Sequence, residues 1–181
     1  MQSLLLSGLS DKQQQSPKSK TRGRLDLPLY YLYTDGSSSH VTNEGGWAFI
    51  VIDSNHDFFA QGYGYELNAT NNSMELKAAI EGIKFLSEKQ CEIELFSDSA
   101  YMINSIKNSW WKDWEQNDWV KRNGQVTPNS FLWKELVTLL DINPVEFIKV
   151  KAHSGDKLND YCDKLAKEAR KNQGVISYTN I

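Results

Sequence analysis

The chain has 181 residues, 40% of them hydrophobic and 24% charged, which suits one packed domain and excludes wholesale disorder. Two cysteines exclude a disulfide scaffold, three histidines without ligand spacing argue against a zinc site, and no apolar run approaches the roughly 20 residues that span a bilayer. The net charge of −3 is unevenly divided, because residues 1–28 hold five basic and two acidic side chains and leave the acidic excess downstream.

The segment Leu4-Leu5-Leu6 is too short for a signal-peptide core and no basic residue precedes it. From Ser10 to Arg24 the chain is Gln, Ser, Lys and Pro without apolar periodicity, so it cannot bury enough surface to order itself. We therefore expect a flexible basic N-terminal tail over 1–28 and one folded domain over 29–181, in a soluble, reducing, cytoplasmic protein. Tyr30–Thr34 reads as a strand that stops in a turn at Asp35-Gly36-Ser37. Trp47–Asp53 and Phe58–Leu67 read as two more strands, joined by a hairpin at Ser54-Asn55. Ser73–Ser87 is helical, with Leu76, Ile80, Ile83 and Leu86 on one face. A strand at Ile93–Ser97 ends at Asp98, and Ser99 is placed to start a helix running to Ile106. An aromatic and charged region from Ser109 to Trp133 follows. Then come a helix over Asn129–Leu140, a strand over Val145–Val150 and a helix over Lys157–Lys171. A hairpin group followed by strands alternating with helices implies an α/β fold, a mixed sheet with helices packed on it. Sites in such sheets gather at the carboxyl ends of parallel strands.

Two acids stand at such ends. Strand alternation puts Tyr31, Tyr33 and Asp35 on one face, and Glu94, Phe96 and Asp98 on one face of the fourth strand. Glu75 lies one position from the apolar stripe of the first long helix, and Asp163 lies near Leu158, Cys162 and Ala166 in the last. Each alone is a common turn or cap residue, Asp-Gly being a turn signal. Together, carboxylates beside apolar positions cost free energy unless something pairs with them. Divalent cations would pair with all four, and oxygen-only ligands select Mg²⁺ or Mn²⁺ over Zn²⁺.

Four segments resemble the motifs of type 1 ribonucleases H. Tyr33-Thr34-Asp35-Gly36-Ser37 looks like the first, Thr70-Asn71-Asn72-Ser73-Met74-Glu75-Leu76 the second and Ser97-Asp98-Ser99 the third. His153-Ser154-Gly155, then Asn159, then Asp163, resembles the fourth. The resemblance spans about residues 29–171. It implies a ribonuclease H-like fold with a five-stranded mixed sheet flanked by helices. It also implies endonucleolytic hydrolysis of the RNA strand of RNA/DNA hybrids, leaving 5′-phosphate and 3′-hydroxyl ends. By position, Asp35, Glu75, Asp98 and Asp163 match the carboxylates that hold two Mg²⁺ ions, with Mn²⁺ as a substitute. His153 matches a loop histidine assisting proton transfer or product departure. Asn71 and Asn72 match contacts to the RNA minor groove, and Thr70 and Asn129 match members of a pocket gripping a phosphate of the DNA strand. Tyr101, Trp110 and Trp114 match an aromatic DNA channel beside a basic protrusion, while Trp119 and Trp133 read as core.

Some positions depart from the family pattern. Asn68 stands where an arginine commonly lines the phosphate pocket, Ala100 replaces a larger side chain, and the loop 38–44 lacks the usual glycines and prolines. These departures bear on hybrid affinity more than on chemistry, since all four carboxylates remain. We expect a monomer that needs no membrane, whose tail adds a salt-sensitive contact to nucleic acid or a partner. Two alternatives stay open: a nuclease of the same fold acting on DNA, and a catalytically weak hybrid-binding adaptor.

Overall fold

The computed structural model describes residues 27–151, 155–174 and 177–180. Apart from its last two residues, the expected tail lies outside the described residues, as does His153. The strands are β1 (Leu29–Ser38), β2 (Glu44–Ile52), β3 (Phe58–Leu67), β4 (Glu92–Ser97), β5 (Val145–Lys149) and β6 (Ser177–Asn180). The helices are α1 (Asn71–Ser87), α2 (Ala100–Lys107), α3 (Trp110–Gln116), α4 (Ser130–Ile142) and α5 (Lys157–Lys171). They build one sheet in the order β5-β4-β1-β2-β3-β6. β4 runs parallel to both β1 and β5, and the pairs β1–β2, β2–β3 and β3–β6 are antiparallel. The five expected strands are all present. The short sixth strand was not anticipated, because four polar-rich residues at a chain end carry no alternation to read.

Sheet parity sorts the core into two layers. Trp47, Phe49 and Val51 of β2 join Leu32 of β1 in a cluster with Leu76, Ile80, Ile83 and Leu86 of α1. Ala48, Ile50 and Ile52 point the other way and pack with Cys162, Leu165 and Ala166 of α5. A strand buried on both faces needs apolar residues at every position, and β2 supplies them. Trp119 and Trp133 are buried, as expected.

The structure corrects one boundary that matters. Asp35-Gly36 is no turn; β1 runs through it, with Asp35 opposite Ala48 and Gly36 opposite Trp47. The chain reverses farther on, where Asn43 takes a left-handed φ of 55° and its N–H donates to the carbonyl of Ser39. Glycine at 36 serves close packing instead: a Cβ there would stand 2.4 Å from the backbone nitrogen of Glu75 and 2.5 Å from the carbonyl carbon of Met74. On the opposite face, a Cβ on Gly46 would stand 2.2 Å from the carbonyl oxygen of Ala166 in α5. These two glycines let α1 and α5 approach the end of the sheet where the acids lie.

Candidate active site

Three elements deliver the central acids. Asp35 is carried on β1, and the regular pairing with β2 and β4 fixes its height. Glu75 comes from the start of α1. There Thr70 is the N-cap, its Oγ1 accepting from the Ser73 N–H at 3.1 Å, while Ser73 Oγ accepts from the Thr70 N–H at 2.8 Å. This reciprocal cap settles where the helix begins, and hence where Glu75 points. Asp98 follows β4 directly, held between the strand and the Ser99 cap of α2, whose Oγ accepts from Met102 N–H at 3.3 Å.

One carboxylate oxygen from each of Asp35, Glu75 and Asp98 lies within 4.8 Å of the others. Asp35 and Glu75 are 5% and 6% exposed, so neither is relieved by water. Burial pushes the Asp35 carboxyl from 3.8 up to about 7, and the charges of Asp98 and Asp163 add to the shift. Burial and then the charge of Asp35 likewise push Glu75 well above the ordinary carboxylate range. The Gly36 N–H donates to Asp35 Oδ1 at 2.7 Å and opposes the shift without cancelling it. Glu75 Oε2 is buried with no hydrogen-bond partner among the described residues. An all-oxygen donor set with a bare, desolvated carboxylate oxygen fits a hard divalent cation.

Asp163 stands somewhat apart. It is half-buried on α5, close enough to raise Asp35 electrostatically, yet it is not one of the three acids whose oxygens converge. Its Oδ2 accepts from Lys167 Nζ at 2.6 Å. That lysine escaped notice in the sequence, although an Asp four residues before a Lys on one helix is a readable ion-pair signal.

The surrounding polar residues divide. Asn71 is exposed at the start of α1, and its Oδ1 accepts from the Ser38 N–H at 2.9 Å, tying the end of β1 to the helix; Asn72 is exposed beside it. Thr70 and Asn129 do meet, lining a cavity of about 210 Å³ with Asn68, Ser73 and Lys77. Asn129 has a left-handed φ of 58° just before α4. The expected aromatic channel is split. Trp114 packs against Trp133 and Trp119, with ring centroids 5.4 and 6.3 Å away. Tyr101 accepts a hydrogen bond from Trp133 Nε1 at 2.8 Å. Both are largely occupied by the core, whereas Trp110 is 43% exposed.

Comparison with known proteins places this arrangement. The RNase H family model matches residues 29–171. The ribonuclease H of Acetivibrio thermocellus is 44% identical over 142 residues, which is 78% of this chain and 95% of that protein. The ribonuclease H of Caldanaerobacter subterraneus is 42% identical over 137 residues, 76% of this chain and 88% of that protein. Among solved structures, LC9-RNase H1, a type 1 RNase H with the type 2 active-site motif, superposes with a TM-score of 0.75 at 25% identity. That match covers 87% of this chain and 80% of the other. LC11-RNase H1, solved in complex with an RNA/DNA hybrid, shares the fold with a TM-score of 0.62 at 16% identity, over 79% of this chain and 97% of its own.

Proposed function

The chain belongs to the ribonuclease H family of enzymes, and on that premise we propose that it is an endonuclease cutting the RNA strand of RNA/DNA hybrids to 5′-phosphate and 3′-hydroxyl ends. Asp35, Glu75, Asp98 and Asp163 hold two Mg²⁺ ions in this reading, and Mn²⁺ substitutes. The observation that carries it is the convergence of three acids around a buried Glu75 oxygen that has no hydrogen-bond partner among the described residues.

The chemistry needs an in-line water and a stabilised leaving oxygen. Paired cations at such a site supply a nucleophile at neutral pH and offset the charge that develops on the leaving group. The protein's own part is positional. Asp35 and Glu75 are fixed by strand pairing and a helix cap, so they need no reorganisation when substrate arrives. Their raised proton affinity comes from burial and from the neighbouring carboxylates, a repulsion that a bound divalent cation would relieve. His153, on the segment just before α5, is the candidate to hand a proton to the leaving oxygen.

Recognition follows the same surface. Asn71 and Asn72 are exposed beside Glu75, with amides that can read a 2′-hydroxyl in a minor groove. The Thr70–Asn129 cavity is the candidate seat for a phosphate of the DNA strand. Trp110 offers a ring for that strand, with Trp114 and Tyr101 behind it. The basic tail adds non-specific phosphate affinity to a monomeric, cytoplasmic catalytic domain over 29–181.

The test compares end-labelled duplexes of one base sequence made as RNA/DNA, all-DNA and all-RNA. Cleavage of RNA paired with DNA, and no cleavage of all-DNA or all-RNA duplexes, is the expected result. Cutting of the all-DNA duplex at a similar rate would replace this reading with that of a DNA nuclease.

A further inference from the structure

Asn159 lies on α5 in the turn before Asp163 and is 2% exposed. The N-cap of that helix, Asp156, accepts from the N–H groups of Leu158 and Asn159 at 3.1 and 3.2 Å, so the backbone of Asn159 is already anchored. Its side chain is therefore free for another purpose. Nδ2 donates to Asp98 Oδ2 at 3.3 Å, across 61 residues of sequence, and Oδ1 is buried without a hydrogen-bond partner among the described residues. The amide's orientation is dictated by chemistry, because the reverse would set two acceptors against each other. Burying an amide with half its capacity unmet costs stability, which packing alone would not favour over an apolar residue of the same shape.

We propose that Asn159 is a positioning residue for Asp98, fixing that carboxylate for cation binding and locking it to the helix that carries Asp163. Asp98 is the least buried of the three converging acids and sits outside its strand, so it has the most rotational freedom to lose. Asp35 and Glu75 need no such tether, being held by the sheet and by the capped start of α1. Asn159 is placed four residues before Asp163, on the same face of α5, so one side chain links β4 to the register of the fourth acid. A neutral amide does this without adding charge, whereas a lysine would compete with the cation and a carboxylate would repel Asp98. Partners of this kind behind a ligand commonly control metal affinity by about 10- to 100-fold.

This deepens the reading of the site as a cation centre, and its test does not depend on cleavage. Mn²⁺ is titrated by calorimetry into metal-free wild type, Asn159→Ala, Asn159→Leu, Asp98→Asn and the double variant Asp98→Asn/Asn159→Leu. Asn159→Leu keeps the branched shape and fills the space if the alanine variant unfolds. The expected result is Mn²⁺ affinity weakened about 10-fold by either Asn159 change, a near-wild-type melting temperature for Asn159→Leu, and no further loss when it is added to Asp98→Asn. Wild-type Mn²⁺ affinity in Asn159→Leu, or losses that simply add in the double variant, would overturn the proposal and leave Asn159 a packing residue. Wild type that binds no Mn²⁺ would overturn the cation-centre reading itself, and with it this inference.

Discussion

Asp35 and Glu75 bring carboxylate oxygens within 4.8 Å of each other, and neither is relieved by solvent. Such a pair holds a proton that exposed carboxylates would have released. The folded, metal-free protein keeps the Asp35 proton up to about pH 7, while the unfolded chain loses it near 3.8. Folding therefore takes up a proton in that interval. The stabilisation is fully present below pH 3.8 and is lost as pH rises through 7. In EDTA, Asp35→Asn should melt several degrees above wild type at pH 7.5, a gain on the order of 2 kcal/mol, and the difference should shrink towards pH 4. Adding Mg²⁺ at pH 7.5 should raise the wild-type melting temperature and leave the variant nearly unmoved. Melting curves across that pH range check both signs.

Gly36 connects the fold to the chemistry. An added methyl would meet backbone atoms of Met74 and Glu75 at 2.5 and 2.4 Å, and backbone cannot swing aside as a side chain can. Gly36→Ala should cost about 3 kcal/mol or more, at the upper end of overpacking penalties. It should also lower activity beyond what partial unfolding explains, because Glu75 is pushed off its position. Denaturant titration alongside turnover of the remaining folded fraction separates the two effects.

The two tryptophans assigned to one channel should behave differently. Trp114 packs on Trp119 and Trp133, so Trp114→Ala should destabilise by about 3 kcal/mol. Trp110 is exposed, so Trp110→Ala should change stability by less than about 0.5 kcal/mol. It should still weaken hybrid binding by about fivefold or more, the loss of one stacking contact. Chemical denaturation and filter binding of both variants provide the comparison.

Lys167 holds Asp163 through a 2.6 Å contact while itself 46% exposed. Exposed ion pairs contribute less than about 1 kcal/mol, so the contact adds little to stability. It does hold a positive charge beside a site meant for cations. Lys167→Met should lower the Mg²⁺ concentration giving half-maximal cleavage by about threefold, with little change in melting temperature. A rise in the Mg²⁺ requirement would mean that the lysine orients Asp163 productively.

Much of the site was legible because the patterns that carry it are local. The period of two in Glu94, Phe96 and Asp98 and the apolar stripe of α1 placed Asp98 and Glu75 at element ends, where the structure also has them. The first motif does supply an acid to the cluster, but it misleads as structure. Asp-Gly signals a turn, but pairing with β2 and the close approach of α1 override that preference and carry β1 on to Ser38. The packing of the three channel candidates was not legible for a similar reason. The family resemblance groups Tyr101, Trp110 and Trp114, and only tertiary packing shows that Tyr101 and Trp114 both contact Trp133. The Asn159–Asp98 contact depends on which face of α5 meets the sheet end, a relationship between elements 61 residues apart, whereas the Asp163–Lys167 pair on one helix is a local signal.

The most direct test of the central claim is gel-resolved cleavage of one end-labelled RNA strand paired with DNA, in Mg²⁺ or EDTA, by wild type and by folded Asp35→Asn. The account predicts metal-dependent internal cuts by wild type, with a loss of about 1,000-fold or more in the variant, equivalent to about 4 kcal/mol of transition-state stabilisation. Cleavage by Asp35→Asn at the wild-type rate, or by wild type in EDTA, would contradict the assignment of these acids as the cation-holding site.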